Sequence, residues 1–231
     1  MDLKNKKILA FFAHPDDETL GAGGTISKLT KAGNEIFVAI PGAGVYARRN
    51  QKDENSMNAE KDLLTEHFQE AMTILGVKME NIFTGNFPDN EMDKGTRLEL
   101  NHWLEDLLVK VKPDVIFTHH RFCTNIDHQY CHEAAVVASR PGVGSHIALV
   151  SSEIPSSTGY LKPTMWEPNF YMELSNEDLE NKIKAMVAYK NEVRTDPHPR
   201  SPEVLRALAK VRGSESGFNN AEAFMIIRDF A

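Results

Sequence analysis

The run Ala13-His14-Pro15-Asp16-Asp17-Glu18 places four ionisable side chains within the five positions 14 to 18. His14 and Asp17 stand at i, i+3. On a turn entering a helix, that spacing aims both side chains at one point, and a neutral imidazole and a carboxylate are both good zinc ligands. Asp16 lies between them, where a carboxylate beside a metal, but not ligating it, takes the proton from an attacking water. The competing reading is helix capping. Proline in a first turn and acids near an N-terminus are ordinary helix starts, favoured by the missing N–H and by the macrodipole. Glu18 by itself reads as a cap or a supporting group.

A second constellation lies about a hundred residues on. Thr118-His119-His120 ends an apolar run, and Asn125-Ile126-Asp127-His128 opens a helix with His132 one turn further. A zinc site with three protein ligands keeps a fourth position for water. His14, Asp17 and one histidine of this segment make that set. Asp127 is placed to orient an imidazole or set its tautomer, as supporting carboxylates do. His128 and His132 are spaced i, i+4 and resemble paired ligands, but a fourth protein ligand would close the site, so one is expected. Packing at a strand end or on a helix face is the plainer role for His119, His120 and His132. Cys123 and Cys131 read as small core residues, and two cysteines make neither a disulfide framework nor a four-cysteine zinc site.

The elements that must position these residues alternate in type. Lys7 to Phe12, Glu35 to Ile40, Asn81 to Thr84, Asp114 to Thr118, Ile147 to Ser151 and Phe170 to Leu174 read as strands. Thr19 to Ala32, Met57 to Leu75, Lys94 to Val111, Asp127 to Arg140, Asn176 to Asn191 and Pro202 to Arg212 read as helices. Pro41-Gly42 closes the second strand, Gly42 to Ser56 is a polar and basic loop, and Ala221 to Ile227 fits either strand or helix. Such alternation argues for βαβ units and a mainly parallel sheet covered by helices. Ligands in such sheets bind at the carboxyl ends of the strands, where both constellations fall. Gly21-Ala22-Gly23-Gly24 raises a dinucleotide-binding alternative, but the glycine spacing is wrong and acids in that turn would repel pyrophosphate. Close packing of helix on sheet is the plainer use of those small residues.

The chain has 231 residues, which suits one α/β domain. Its 26 basic and 33 acidic residues leave a formal charge of −7, a poor balance for binding nucleic acid. The apolar run Ile8 to Ala13 is too short for a signal segment or a membrane span. A cytoplasmic protein that acts on a small molecule, with no nucleic-acid or membrane partner, is expected.

Taken together, the two constellations resemble the PIG-L/LmbE-like family of zinc-dependent N-deacetylases. Residues 13 to 18 look like its AHPDDE signature, and Thr118-His119-His120 with Asn125-Ile126-Asp127-His128 looks like its second motif. Weaker similar stretches are Phe87-Pro88-Asp89-Asn90, Pro197-His198-Pro199-Arg200-Ser201 and Ala221-Glu222-Ala223-Phe224. The resemblance implies a Rossmann-like three-layer sandwich over nearly the whole chain. It makes His14, Asp17 and His128 the zinc ligands, with other divalent transition metals also compatible. Asp16 becomes the general base and Asp127 a supporting carboxylate. The implied reaction removes acetyl from an N-acetylated sugar or sugar conjugate, and family members are often oligomeric. His198 is a candidate second acid or oxyanion donor, against the plainer reading of a loop histidine. Two departures stand out. Many relatives carry histidine where this chain has Asn125, which can donate a hydrogen bond but not act as an acid. Relatives with asparagine there often carry aspartate where this chain has Cys123. The helix before Leu75-Gly76-Val77 also lacks the family's arginine and glutamate, leaving Arg48 and Arg49 as candidate substrate contacts beside Asn125. The alternative function is a non-catalytic metal- or carbohydrate-binding protein on the same fold.

Overall fold

The computed structural model describes residues 1–42, 54–142, 146–161 and 165–230. Seven strands are β1 (Lys7–Phe11), β2 (Glu35–Gly42), β3 (Ile82–Phe87), β4 (Val115–His119), β5 (Ala148–Ser152), β6 (Phe170–Glu173) and β7 (Ala221–Arg228). Six helices are α1 (Asp17–Lys31), α2 (Glu54–Leu75), α3 (Arg97–Val111), α4 (Ile126–Ala138), α5 (Asn176–Ala188) and α6 (Pro202–Ser216). The strands form one sheet in the order β3-β2-β1-β4-β5-β7-β6. Its first five members are parallel, and β7 runs antiparallel to both neighbours.

Alternation along the strands builds two core layers. In β1 and the residues just after it, Ile8, Ala10 and Phe12 face one layer while Leu9, Phe11 and Ala13 face the other. Ile36, Val38 and Ile40 of β2 join the first layer, Phe37 and Ala39 the second. Helices α1, α2, α5 and α6 close the first layer and α3 and α4 the second, giving the expected three-layer sandwich. Apolar residues on both faces are what a parallel sheet covered on both sides requires. The glycines of α1 serve packing: a Cβ at Gly24 would lie 2.5 Å from Leu174 Cδ1, and one at Gly21 2.8 Å from Ile154 Cδ1.

Several boundaries differ from the sequence reading for identifiable reasons. Strand β2 does not close at Pro41-Gly42. It runs through to Gly42, with Pro41, which has no N–H to donate, at the register shift against β3. Helix α1 begins at Asp17, not Thr19, and α2 at Glu54, not Met57. Helix α3 starts later, at Arg97, where Thr96 and Glu99 form a reciprocal capping box. Helix α6 continues past Arg212 to Ser216 and stops at Gly217, whose φ of 79° suits glycine. The ambiguous tail is strand β7, held between β5 and β6. No helix among the described residues is long and apolar enough to cross a membrane.

From β1 the chain steps to β2 on one side, and β4 lies on the other. The carboxyl ends of β1 and β4 therefore flank the point where the winding direction reverses, the general ligand position in open α/β sheets.

Candidate active site

The segment after β1 turns sharply into α1. Phe12 N–H donates to Ala39 O at 3.1 Å and Asp17 N–H to His14 O at 3.2 Å. Asp16 adopts φ 110° and ψ −29°, a left-handed conformation that costs a non-glycine residue about 1–3 kcal/mol and clusters at functional sites. Although Asp16 occupies the N-cap position, its side chain makes no capping bond. The capping reading therefore fails for this residue. Glu18 Oε2 instead accepts the Asp16 N–H at 3.1 Å, and Glu18 Oε1 accepts from Tyr189 Oη at 2.6 Å and Thr19 Oγ1 at 2.7 Å.

The carboxylate of Asp17 lies at the centre of the cluster. Its Oδ2 is 3.2 Å from His14 Nδ1 and 3.2 Å from His128 Nε2. These three side chains form one of the groups whose candidate ligand atoms lie within 4.8 Å of one another. On the far side of the His14 ring, Nε2 is 2.8 Å from Asp127 Oδ2 and 3.1 Å from Asp89 Oδ1. Asp127 is fully buried and also accepts the Asn90 N–H at 2.5 Å and the Met92 N–H at 3.1 Å. One carboxylate thus fixes both the His14 ring and the turn that carries Asp89. The close approach of β2 completes the frame. Gly42 N–H donates to Ala13 O at 2.9 Å, and a Cβ at Gly42 would lie 2.6 Å from that oxygen and 3.0 Å from His14 Cδ2.

The electrostatics fit a bound cation. Burial opposes protonation of His14, but hydrogen bonds to Asp127, Asp17 and Asp89 outweigh it and lift its pKa well above the ordinary value. Burial likewise opposes protonation of His128, yet the Asp17 charge pushes it up to about 9. Burial would raise Asp17, but the His128 charge and hydrogen bonds with His128 and His14 hold it well below the usual carboxylate range. Three buried carboxylates around two imidazoles thus make a field that demands positive charge. A borderline metal satisfies that demand with an N, N, O donor set.

The other histidines have different roles. His119 Nε2 accepts the Ala13 N–H at 2.8 Å, so its lone pair is used and its proton sits on Nδ1. Its ring stacks on His128 with centroids 3.8 Å apart. His132 Nδ1 donates to His119 O at 2.8 Å, away from the cluster, so the i, i+4 pairing with His128 is not used. The His120 ring packs edge-on against Trp166. Cys131 lies in the second core layer, and Cys123 Sγ sits 3.1 Å from Thr158 Oγ1. Asn125 caps α4: its Oδ1 accepts the Asp127 N–H at 2.8 Å, and its Nδ2 donates to Asn90 Oδ1 at 2.9 Å. Arg48 and Arg49 lie outside the described residues.

A cleft of about 510 Å³ opens over the cluster, lined by His14, Asp16, Asp89, Asn125, His128, His198 and Arg200 among others. Arg200 is the residue that sequence reasoning missed. Its Nη1 lies 2.8 Å from Asp16 Oδ2 and 3.0 Å from Glu192 Oε2. The only available signal was its place in the Pro-His-Pro-Arg-Ser stretch. Burial raises the Asp16 pKa, the Arg200 charge opposes this, and Asp17, Glu192 and Glu18 add to the rise, leaving it well above the ordinary value. His198 stands exposed at the rim, with Nδ1 accepting the Arg200 N–H at 3.1 Å.

Fold and site together define an α/β protein with a buried two-histidine, one-aspartate cluster at the sheet's switch point. Residues 9–139 match the family described as PIG-L, GlcNAc-PI de-N-acetylase, and the chain belongs to that family. It is 24% identical over 229 residues to a diacetylchitobiose deacetylase of Thermococcus kodakarensis, covering 96% of this chain and 83% of that protein. In structure it is similar to an N,N'-diacetylchitobiose deacetylase from Pyrococcus horikoshii, with a TM-score of 0.78, 24% identity, and coverage of 98% and 87%. It is also similar to GalB, a 4-carboxy-2-hydroxymuconate hydratase from Pseudomonas putida, with a TM-score of 0.76, 19% identity, and coverage of 98% of both chains. Two reactions on one fold mean that the chemistry must be argued from the site.

Proposed function

We propose that this protein is a metal-dependent N-deacetylase that hydrolyses the N-acetyl amide of an N-acetylated sugar or sugar conjugate, releasing acetate and a free amine. The observation that carries the reading is the convergence of His14 Nδ1, Asp17 Oδ2 and His128 Nε2, with Asp16 lining the same cleft. These three atoms are the metal ligands. Asp127 holds the His14 proton on Nε2 and so leaves Nδ1 free to ligate, the arrangement of a carboxylate-supported metal histidine. Zinc suits two imidazoles and one carboxylate, and iron(II), cobalt and manganese are compatible. A divalent cation at this position supplies Lewis-acid activation of water and of the amide carbonyl.

The chain's own residues handle the proton. Asp16 is buried and its pKa is raised, which suits a base that must hold a proton during the reaction. It takes the proton from the attacking water and returns it to the departing amine. Arg200 fixes its carboxylate from one side, and the left-handed turn held by Glu18 fixes it from the backbone. Asn125 replaces the histidine of many relatives and is committed to capping α4, so it supplies no proton. At His198, burial and the charges of Arg200 and Arg194 hold the pKa below the ordinary value. His198 is thereby suited to donate a hydrogen bond from Nε2 rather than to act as an acid. Two free, buried cysteines support a reducing, cytoplasmic setting.

The test is primary-amine release from a panel of N-acetylated sugars by wild type and Asp16→Asn, with metal content measured on both. The expected result is release by wild type and a fall of about 10²–10⁴-fold in the metal-loaded variant. Near-normal turnover by Asp16→Asn would overturn the base assignment. Failure to retain metal even after reloading would overturn the ligand set. Sugar binding by the metal-loaded protein, without amine release from any member of the panel, would favour a binding protein on this fold.

A further inference from the structure

The two histidines of the cluster are held differently. Asp127 Oδ2 lies 2.8 Å from His14 Nε2 and fixes that ring with a carboxylate. At His128 the corresponding partner is a hydroxyl. Its Nε2 faces Asp17 Oδ2 at 3.2 Å, and its Nδ1 lies 3.2 Å from Ser157 Oγ. His128 is 3% and Ser157 5% exposed, so little water competes for that nitrogen.

Ser157 is held by a compact turn at the carboxyl end of β5. Its N–H and that of Thr158 both donate to Ile154 O, at 2.9 and 2.8 Å, and Thr158 Oγ1 accepts the Ile154 N–H at 2.9 Å. Ile154 itself is fully buried in the first core layer. Ser157 O accepts the Thr124 N–H at 3.1 Å, which ties the turn to the segment leading into α4, the helix of His128. A bonded frame therefore delivers the hydroxyl to the ring. The neighbouring Ser156 hydroxyl has a different partner, Arg200 Nε, at 3.3 Å. Cys123 Sγ also lies within 4.8 Å of a nitrogen of the His128 ring. A thiol is a weak acceptor, and this one sits 3.1 Å from Thr158 Oγ1.

We propose that Ser157 is the positioning residue of His128. Its Oγ accepts the Nδ1 proton, which fixes the tautomer that leaves the Nε2 lone pair for the metal. This role rests on the ligand set proposed above and not on the reaction.

Zinc affinity is measured by competition with a chromogenic chelator, beside urea denaturation of the metal-free protein. The proteins are wild type, Ser157→Ala, Ser157→Thr, Ser156→Ala and Cys123→Ala. Ser157→Ala is expected to weaken zinc binding by about 10–100-fold, the range for loss of a supporting contact, with little change in the metal-free urea midpoint. Ser157→Thr keeps the hydroxyl and should bind zinc close to wild type, as should Ser156→Ala and Cys123→Ala. Wild-type affinity in Ser157→Ala would overturn the assignment. A loss in Cys123→Ala that Ser157→Ala does not show would overturn it in favour of the thiol. So would losses that merely follow the fall in metal-free stability across the four variants. Wild-type protein that holds no zinc would remove the ligand set and this role together. Amine release is scored separately: the expected zinc pattern in a protein that deacetylates no sugar keeps the role of Ser157 and removes the deacetylase reading alone.

Discussion

A single methyl group placed at Gly42 tests whether the close approach of β2 to the segment after β1 sets the metal-binding geometry. In Gly42→Ala the new Cβ would lie 2.6 Å from Ala13 O and 3.0 Å from His14 Cδ2. A comfortable C···O separation begins at about 3.3 Å, so the two segments must part by about 0.7 Å. Ala13 O is also the acceptor for the Gly42 N–H, so relief of the clash strains that bond. The neighbouring Ala13 N–H is itself held by His119 Nε2, which leaves the segment little room to yield elsewhere. Overpacking of this kind costs about 1–3 kcal/mol of stability. Displacing His14 from Asp127 should weaken metal binding by about 10–100-fold, as loss of a supporting contact does. The assay is competition for zinc against a chromogenic chelator, with urea denaturation and turnover per bound metal on the same samples. Reduced stability together with reduced zinc affinity is expected. Wild-type zinc affinity and turnover in a folded Gly42→Ala protein would refute the argument that this contact positions His14.

Three further predictions concern groups that support the site at a distance. Tyr189→Phe removes the 2.6 Å donor to buried Glu18 and should destabilise the protein by about 1.5–3 kcal/mol in urea denaturation; a loss under about 0.5 kcal/mol would show that the bond adds little, as is common for surface changes. Lys182→Met strips Glu222 of its buried cation at 2.6 Å, leaving a charge held, among the described residues, by the Gly24 and Thr25 N–H groups of α1. A loss of about 3–5 kcal/mol is expected from removing one member of a buried pair, and a neutral result would mean that the pair is replaceable. At Asp178, burial raises the pKa, but hydrogen bonds from Lys31 and Ser175 outweigh it and hold the carboxyl below its ordinary value. The resulting stability is present above the unfolded pKa of about 3.9 and is lost as pH falls through the folded value. Asp178→Asn should therefore be less stable than wild type at pH 7, and the gap should close under acid. A constant gap in denaturation midpoints from neutral to acid pH would contradict that linkage.

Local chemistry and periodicity along the chain encode the elements and the two motifs. Continuous apolar runs in Lys7–Phe11 and Glu35–Gly42 dictate strands with two buried faces, and those faces dictate helices on both sides. The i, i+3 spacing of His14 and Asp17, and the adjacency of Asp127 and His128, carry the chemistry in a few positions each. Both could be read because a turn or a helix start fixes the relative directions of neighbouring side chains.

Which distant groups meet depends on the packed fold. Arg200 reaches Asp16 from 184 positions away, and Tyr189 reaches Glu18 from 171. Asp127 lies 113 positions from the His14 ring that it orients. No local pattern announces such pairs, because side-chain spacing specifies direction only within one element. The meeting of two elements depends on how the sheet is ordered and wound. The same limit explains the histidines. His119, His128 and His132 are the same residue type within fourteen positions. The Ala13 N–H takes one lone pair, the His119 carbonyl takes one N–H, and His128 alone of the three keeps a nitrogen facing both Asp17 and the cleft. The tail, Ala221 to Ile227, is ambiguous in sequence for a related reason. Its residues suit strand or helix, and the empty place between β5 and β6, with backbone donors and acceptors to satisfy on both sides, made it a strand.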